Sequence, residues 1–292
     1  MIASTARLAR HAREHGYAVA AVNVLDDLSL RAVIAAAVDL SSPLIVQVSV
    51  KTVRSIGVEL MTTMFHLAAE PAPVPVALHL DHCPHRSVIS DVVAAGWPSV
   101  LFDASDRDLA TAERETAEVV AEAHAAGVEV ESEIENIVGV EDDIGSDTAV
   151  HSYPVETLVA VAQRAGTDLL APQLGTAHGL YTHTPVLLPE RVAHLVQLTD
   201  LPVVLHGGTG LDASDFQAFI EAGVSKINIS TGLKLAYMHA AQDHLRRAEV
   251  SGTWDPPSMF NDISAAVQAE ITGHLETFGS AGHAEGAAAA AR

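Results

Sequence analysis

A chain of 292 residues that is 49% apolar but only 4% aromatic has enough Ala, Val, Leu and Ile to bury one large α/β core or two ordinary ones. Its 16 basic and 37 acidic residues leave a formal charge of −21, which excludes nucleic acid and anionic membranes as partners but not a small anion held at a local positive site. Cys83 is the only cysteine, so an internal disulfide and a cysteine-built zinc cage are also excluded.

The N-terminal stretch "MIASTARLARHAREHGYAV" has no apolar signal core, and no apolar run reaches the roughly 18 residues of a membrane span; a soluble, cytoplasmic protein is expected. Short β-branched runs then alternate with Ala/Leu/Glu-rich helical stretches. "AVAAVNV" (18–24), "PLIVQVS" (43–49), "PVALHLD" (75–81) and "SVLFDA" (99–104) read as buried strands. A helix follows at 108–127, closed by Gly127; "VEVESE" (128–133) is the next strand. After a helix at 154–166, closed by Gly166, come the strands "DLLAPQL" (168–174), "PVVLHG" (202–207) and "KINIS" (226–230). Eight strand–helix pairs predict one α/β domain, a (β/α)8 TIM barrel spanning 1–280 with an extra C-terminal helix at about 259–278. The low-complexity tail 281–292 is expected to fray.

In such a barrel the chemistry collects where the strands end. Those ends carry Asn23, Ser49, Asp81, His82, Asp103, Ser105, Glu131, Glu133, Gln173, His178, His206, Asn228 and Thr231. His82, His178 and His206 come from three strands, and three imidazoles suit one divalent ion with a coordination position left for substrate. Chance competes with this, since the chain has 16 histidines and each alone reads as an ordinary polar loop residue. His79 shares a strand face with Asp81 and reads as a core or supporting histidine, whereas His85, His151 and His183 read as loop residues. The turns "LGTAHGLY" (174–181) and "LHGGTGL" (205–211), with the hydroxyls of Thr209 and Thr231, make an anion cradle of free N–H groups. Barrels frequently hold phosphate at these last loops.

With those residues placed, the chain resembles the class II, metal-dependent ketose-bisphosphate aldolases, which include fructose- and tagatose-bisphosphate aldolases. The likeness runs over nearly the whole chain and is carried by "GYAVAAVNV", "ALHLDH", "SVLFDAS", "VESE" followed by "GVEDD", "LGTAHGLY", "PVVLHGGTGL", "KINIST" and "FGSAG". It implies a lyase of carbohydrate metabolism, in the manner of glycolysis, acting on a phosphosugar through the zinc-stabilised enediolate of dihydroxyacetone phosphate. It further implies Zn2+ or another divalent metal, a monovalent cation (Na+ or K+) near the phosphate, and a homodimer or homotetramer. By position it makes Asp81 the catalytic acid and His82, His178 and His206 the metal ligands, with Glu133 an alternate ligand. Glu141 matches a mobile-loop glutamate that moves the substrate proton. Gly179, Gly207, Gly208, Thr209, Asn228, Ile229, Ser230 and Thr231 match the segments that hold the dihydroxyacetone phosphate portion, and Asn23 and Ser49 match polar substrate contacts.

The residues agree on their own terms, because Lys51, Lys226 and Lys234 are the only lysines and a metal is a simpler electron sink than a Schiff base. Without the resemblance Glu141 reads as part of a solvated acidic loop. Two departures stand out. Glu135 and Val138 in "EIENIVG" (133–139) replace glycines common in the family, and the last helix carries no Lys or Arg to meet a phosphate on the acceptor aldehyde. The acceptor is then unphosphorylated, or Lys51 and Arg54 take that part. Two other readings are a zinc-dependent hydrolase on the same barrel, with Asp81 as base, and an aldolase-derived binding protein supported only by the altered 133–139 stretch.

Overall fold

The structure, a computed structural model, describes residues 1–142, 144–146, 151–179, 181 and 184–291, with the backbone alone at 140, 141 and 144–146. Ten strands follow in chain order: β1 (Val19–Asn23), β2 (Leu44–Ser49), β3 (Val76–Cys83), β4 (Ser99–Asp103), β5 (Glu129–Glu133), β6 (Gly139–Glu141), β7 (Ile144–Ser146), β8 (Leu169–Leu170), β9 (Val203–Leu205) and β10 (Val224–Ile229). All but β6 and β7 close into a parallel barrel in which β1 pairs with both β2 and β10, so the expected TIM barrel is the fold. The helices begin with α1 (Thr5–His15), α2 (Asp27–Asp39), α3 (Val50–Ile56), α4 (Val58–Ala69), α5 (Arg86–Ala94) and α6 (Leu109–Ala125). They continue with α7 (Val155–Ala165), α8 (Pro189–Leu198), α9 (Ala213–Ala222), α10 (Thr231–Ser251), α11 (Pro256–Thr277) and α12 (Ala284–Ala290). No described helix is long and apolar enough to cross a membrane.

Side chains of a strand alternate between its two faces, and that period sorts the sheet. Ala20, Val22, Leu78 and Leu80 face the surrounding helices in the main core, whereas Val19, Ala21, Ile45 and Ala77 pack inside the barrel. Farther along the same inward rows come Asn23, Gln47, His79 and Asp81, so the interior passes from apolar to polar toward the strand ends.

The lower end is stoppered by α1. Its Leu8 and Ala12 meet Val19, Ala21 and Ile45, and its Ala6 and Ala9 meet Leu169, Ala171 and Val204. Ser4 caps the helix by accepting from Arg7 N at 3.1 Å, and Glu129 accepts from Ala6 N at 2.9 Å and from the Ser4 hydroxyl.

Two expectations change and one feature is new. The strand foreseen over 168–174 stops after Leu170, because Pro172 has no N–H and side chains take the next amides: Gln173 N donates to Glu135 and Gly175 N to Gln173. The antiparallel β6–β7 hairpin was not foreseen, its turn being written in acidic residues. The tail 281–292, expected to fray, contains α12 instead. Alanine is the best helix former, Ala287 is buried in the α1 layer, and Gly282 N and Ala284 N donate to Leu40 O and Ser41 O at 2.9 Å each.

The seam between α1 and α12 is ringed by histidines. His11 stacks on His15 at 3.9 Å, His283 stacks on Tyr17 at 4.2 Å, and His11 Nδ1 shares a hydrogen bond with Tyr17 Oη at 2.9 Å. Burial, then the neighbouring imidazoles, holds His11 and His283 below their ordinary value. These two imidazoles therefore take up protons later in the folded chain than in the unfolded one. The seam's contribution is present above about pH 6.5 and falls away as the pH drops through that value. Thermal melts from pH 7.5 to 5.5 check it: the Tm advantage of wild type over His283→Gln should shrink as the pH falls.

Candidate metal centre and active site

Asp81 and His82 are consecutive, so a regular strand would send them to opposite faces. The ladder between β3 and β4 slips between Leu80 and Cys83, and His82 adopts a left-handed φ of 37°. This bulge lets both side chains serve the mouth of the barrel. A non-glycine residue in that conformation costs on the order of 1 kcal/mol and persists only where its surroundings enforce it.

His82, His178 and His206 each turn a nitrogen to a common point, the three atoms lying within 4.8 Å of one another; His82, Asp103 and Glu133 form a second such group. The His82 ring meets His178 and His206 nearly edge-on, with centroids 4.8 and 4.6 Å away. Carboxylates surround the trio. Glu133 Oε2 lies 3.2 Å from His206 Nδ1 and 3.5 Å from His82 Nδ1, and Asp103 Oδ2 lies 3.4 Å from His82 Nδ1. His82 Nε2, His206 Nδ1 and Glu133 Oε2 are buried without a hydrogen-bond partner among the described residues. Buried polar atoms are rarely left so, and this donor set fits a divalent ion.

Electrostatics points the same way. Burial opposes a charge on His82, but Asp81, Glu133 and Asp103 outweigh it and hold the imidazole well above its ordinary value. Burial likewise opposes a charge on His206, and Glu131 and Glu133 raise it. Asp103, despite burial, is pushed down to about 2 by His82 and Ser105. A pocket that draws protons onto its imidazoles is one built for a cation. Deeper in, His206 Nε2 donates to Glu131 Oε1 at 2.9 Å, and Glu131 Oε2 accepts from Lys226 Nζ at 2.8 Å.

Asp81 accepts from Asn23 Nδ2 at 2.8 Å on one oxygen and from Asn228 Nδ2 at 3.2 Å on the other. Ser49 ends β2, and its hydroxyl caps α3 by accepting from Thr52 N. Ser230 occupies the N-cap position of the long α10 without a side-chain capping bond, its hydroxyl buried and unpartnered among the described residues, and Thr231 follows on the first turn. Ile229 sends its side chain into the core, so only its backbone faces the mouth. Gly179 lies one residue beyond His178, and Gly208 packs against Phe216. Thr209 is half-buried in the loop after β9. The side chain of Glu141 lies outside the described residues.

Gly207 has φ of 69°, and a Cβ there would stand 2.5 Å from the Ala177 carbonyl oxygen. Gly207→Ala should force the His178 and His206 loops apart and weaken divalent-ion binding roughly 10- to 100-fold, the scale of losing a ligand's support. Chelator competition measures it.

Sequence reasoning left several contributors unassigned. Asp103 and Glu131 appeared only as strand-end carboxylates, and Lys226 only as one of few lysines. Glu135 stood as a departure from glycine. It is fully buried and accepts from Tyr153 N at 2.6 Å, Gln173 N at 3.0 Å and Arg191 Nη2 at 2.7 Å, which pins the segment before the hairpin. Val138, the other departure, pairs with Ala177, and its carbonyl accepts from His178 N at 2.8 Å. The replaced glycines thus coincide with an anchored segment rather than a loosened one.

Residues 3–283 match the family model for class II fructose-bisphosphate aldolase. A fructose-bisphosphate aldolase of Geobacillus stearothermophilus is 35% identical over 271 residues, covering 92% of this chain and 93% of the relative. A probable fructose-bisphosphate aldolase of Bacillus subtilis is 33% identical over 286 residues, covering 97% and 99%. The crystal structure of the YdjI aldolase from Escherichia coli superposes with a TM-score of 0.85 at 29% identity, over 97% of this chain and 100% of the other.

Proposed function

Because the chain belongs to the class II fructose-bisphosphate aldolase family, we propose that it is an aldehyde-lyase joining or splitting a dihydroxyacetone phosphate unit and an aldehyde. The observation that carries this reading is the convergence of His82, His178 and His206 within 4.8 Å. Those histidines would hold a divalent ion, with Glu133 as the alternate ligand. Zinc is the expected metal. When bound, it supplies a Lewis acid that draws electron density from the substrate ketone.

The chain's own residues do the rest. Asp81 takes the carbinol proton in cleavage and returns it in condensation. Its two amide donors fix the plane of its carboxyl. Glu141 exchanges the carbon-bound proton. The phosphate is met by backbone N–H groups of Gly179, Gly207 and Gly208, by Thr209, and by the N-terminus of α10 with Ser230 and Thr231, where the helix dipole favours an anion. A monovalent cation beside that phosphate belongs to the same reading. A phosphate on the acceptor, where there is one, falls to exposed Lys51 and Arg54 on α3, since Pro256–Thr277 carries no Lys or Arg. Exposed Met238, Leu245, Trp254 and Phe260 support self-association into dimers or tetramers.

The test is chelator-reversible release of triose phosphate from a panel of ketose 1-phosphates and ketose 1,6-bisphosphates. Zinc-loaded protein that cleaves none of them would retire the reading.

A further inference from the structure

We propose that Lys226, which is not one of the candidate ligands, is a positioning residue that orients the metal-binding and proton-transfer halves of the site together. The proposal rests on the aldolase reading above. Lys226 lies on β10 with its side chain wholly buried inside the barrel. A buried ammonium persists only when paired and hydrogen-bonded. Its Nζ makes two such contacts, to Glu131 Oε2 and to Asn228 Oδ1, each at 2.8 Å.

Each contact governs a different group. Glu131, held by Lys226 on one oxygen, uses the other to accept from His206 Nε2 at 2.9 Å. A carboxylate there fixes an imidazole proton on Nε2 and leaves Nδ1, 3.2 Å from Glu133 Oε2 and without a hydrogen bond, as the nitrogen turned to the candidate metal position. Asn228 is a symmetric-looking amide that could lie either way round. Because its oxygen accepts from Lys226, its NH2 must point to Asp81, 3.2 Å away. Without the lysine the amide is free to turn its oxygen toward that carboxylate. The other oxygen of Asp81 is held by Asn23, whose own amide is oriented by Gln47 Nε2 at 3.0 Å. One ammonium therefore sets the tautomer of a candidate ligand and the rotamer of a donor to the candidate acid.

A lysine serving only to balance charge would affect stability and little else, and that difference is measurable. In Lys226→Met the zinc Kd should weaken at least about tenfold, the scale of losing a ligand's outer support. At saturating zinc, kcat should fall roughly 100-fold, within the range of a misplaced acid–base group, with KM for a ketose phosphate within about threefold. If the Glu131 carboxylate, deprived of its ammonium, unfolds that variant, Glu131→Gln is compared with the double variant Glu131→Gln/Lys226→Met, which removes both charges. At saturating zinc, kcat should still drop at least about tenfold between them, through the Asn228 arm. Folded variants that match their parents in both zinc Kd and kcat would overturn the proposal. Wild-type protein that binds zinc but cleaves no phosphoketose would remove the aldolase reading, leaving the zinc Kd of Lys226→Met to judge the lysine.

Discussion

Replacing His206 with alanine should leave a folded barrel that no longer retains a divalent ion and has lost about 10³- to 10⁴-fold in kcat/KM. The estimate follows from a Lewis acid being worth several kcal/mol of transition-state stabilisation, at about 1.4 kcal/mol per tenfold in rate. His206 is one of three nitrogen donors, and its removal leaves Glu131 Oε1 without its partner and Glu133 Oε2 facing an empty space. The loss is therefore of the ion's support as well as of one ligand. Metal content by elemental analysis, and turnover with added zinc, check it. Retention of stoichiometric zinc at wild-type affinity would contradict the placement of the metal.

Asp81→Asn should keep the metal and lose turnover. The substitution is nearly isosteric, yet it cannot keep the local hydrogen bonds. Both oxygens of Asp81 accept from amide NH2 groups, so the NH2 introduced at 81 must face one of those donors. An acid–base group of this kind contributes roughly 10²- to 10⁴-fold, and kcat should fall by that factor. Zinc titration and steady-state kinetics on the same preparation separate the two effects. A loss of zinc equal to the loss of rate would make Asp81 part of the metal site instead.

The barrel was legible because its evidence is local. Most barrel strands are β-branched runs, most helices carry their own apolar stripe, and Gly127 and Gly166 follow the helices they stop. The three histidines were legible for the same reason, standing just past apolar runs. Their supports were not. Glu131 and His206 are 75 positions apart, and nothing near either residue writes their hydrogen bond. Lys226 stood only as one of three lysines, because its ionic partner Glu131 lies 95 positions away on another strand. Strict alternation separates Asp81 from His82, and only the slipped ladder at β3 reunites them. Tertiary packing decided the tail too, where an alanine-rich stretch found a helix to lean on.

Helix α1 has a consequence beyond holding strands together. A barrel stoppered at one end leaves its strand-end rim as the doorway, so if the chain splits a ketose as proposed, both fragments would leave by the rim through which the whole sugar came in. The piece held deeper would then follow the shallower one out.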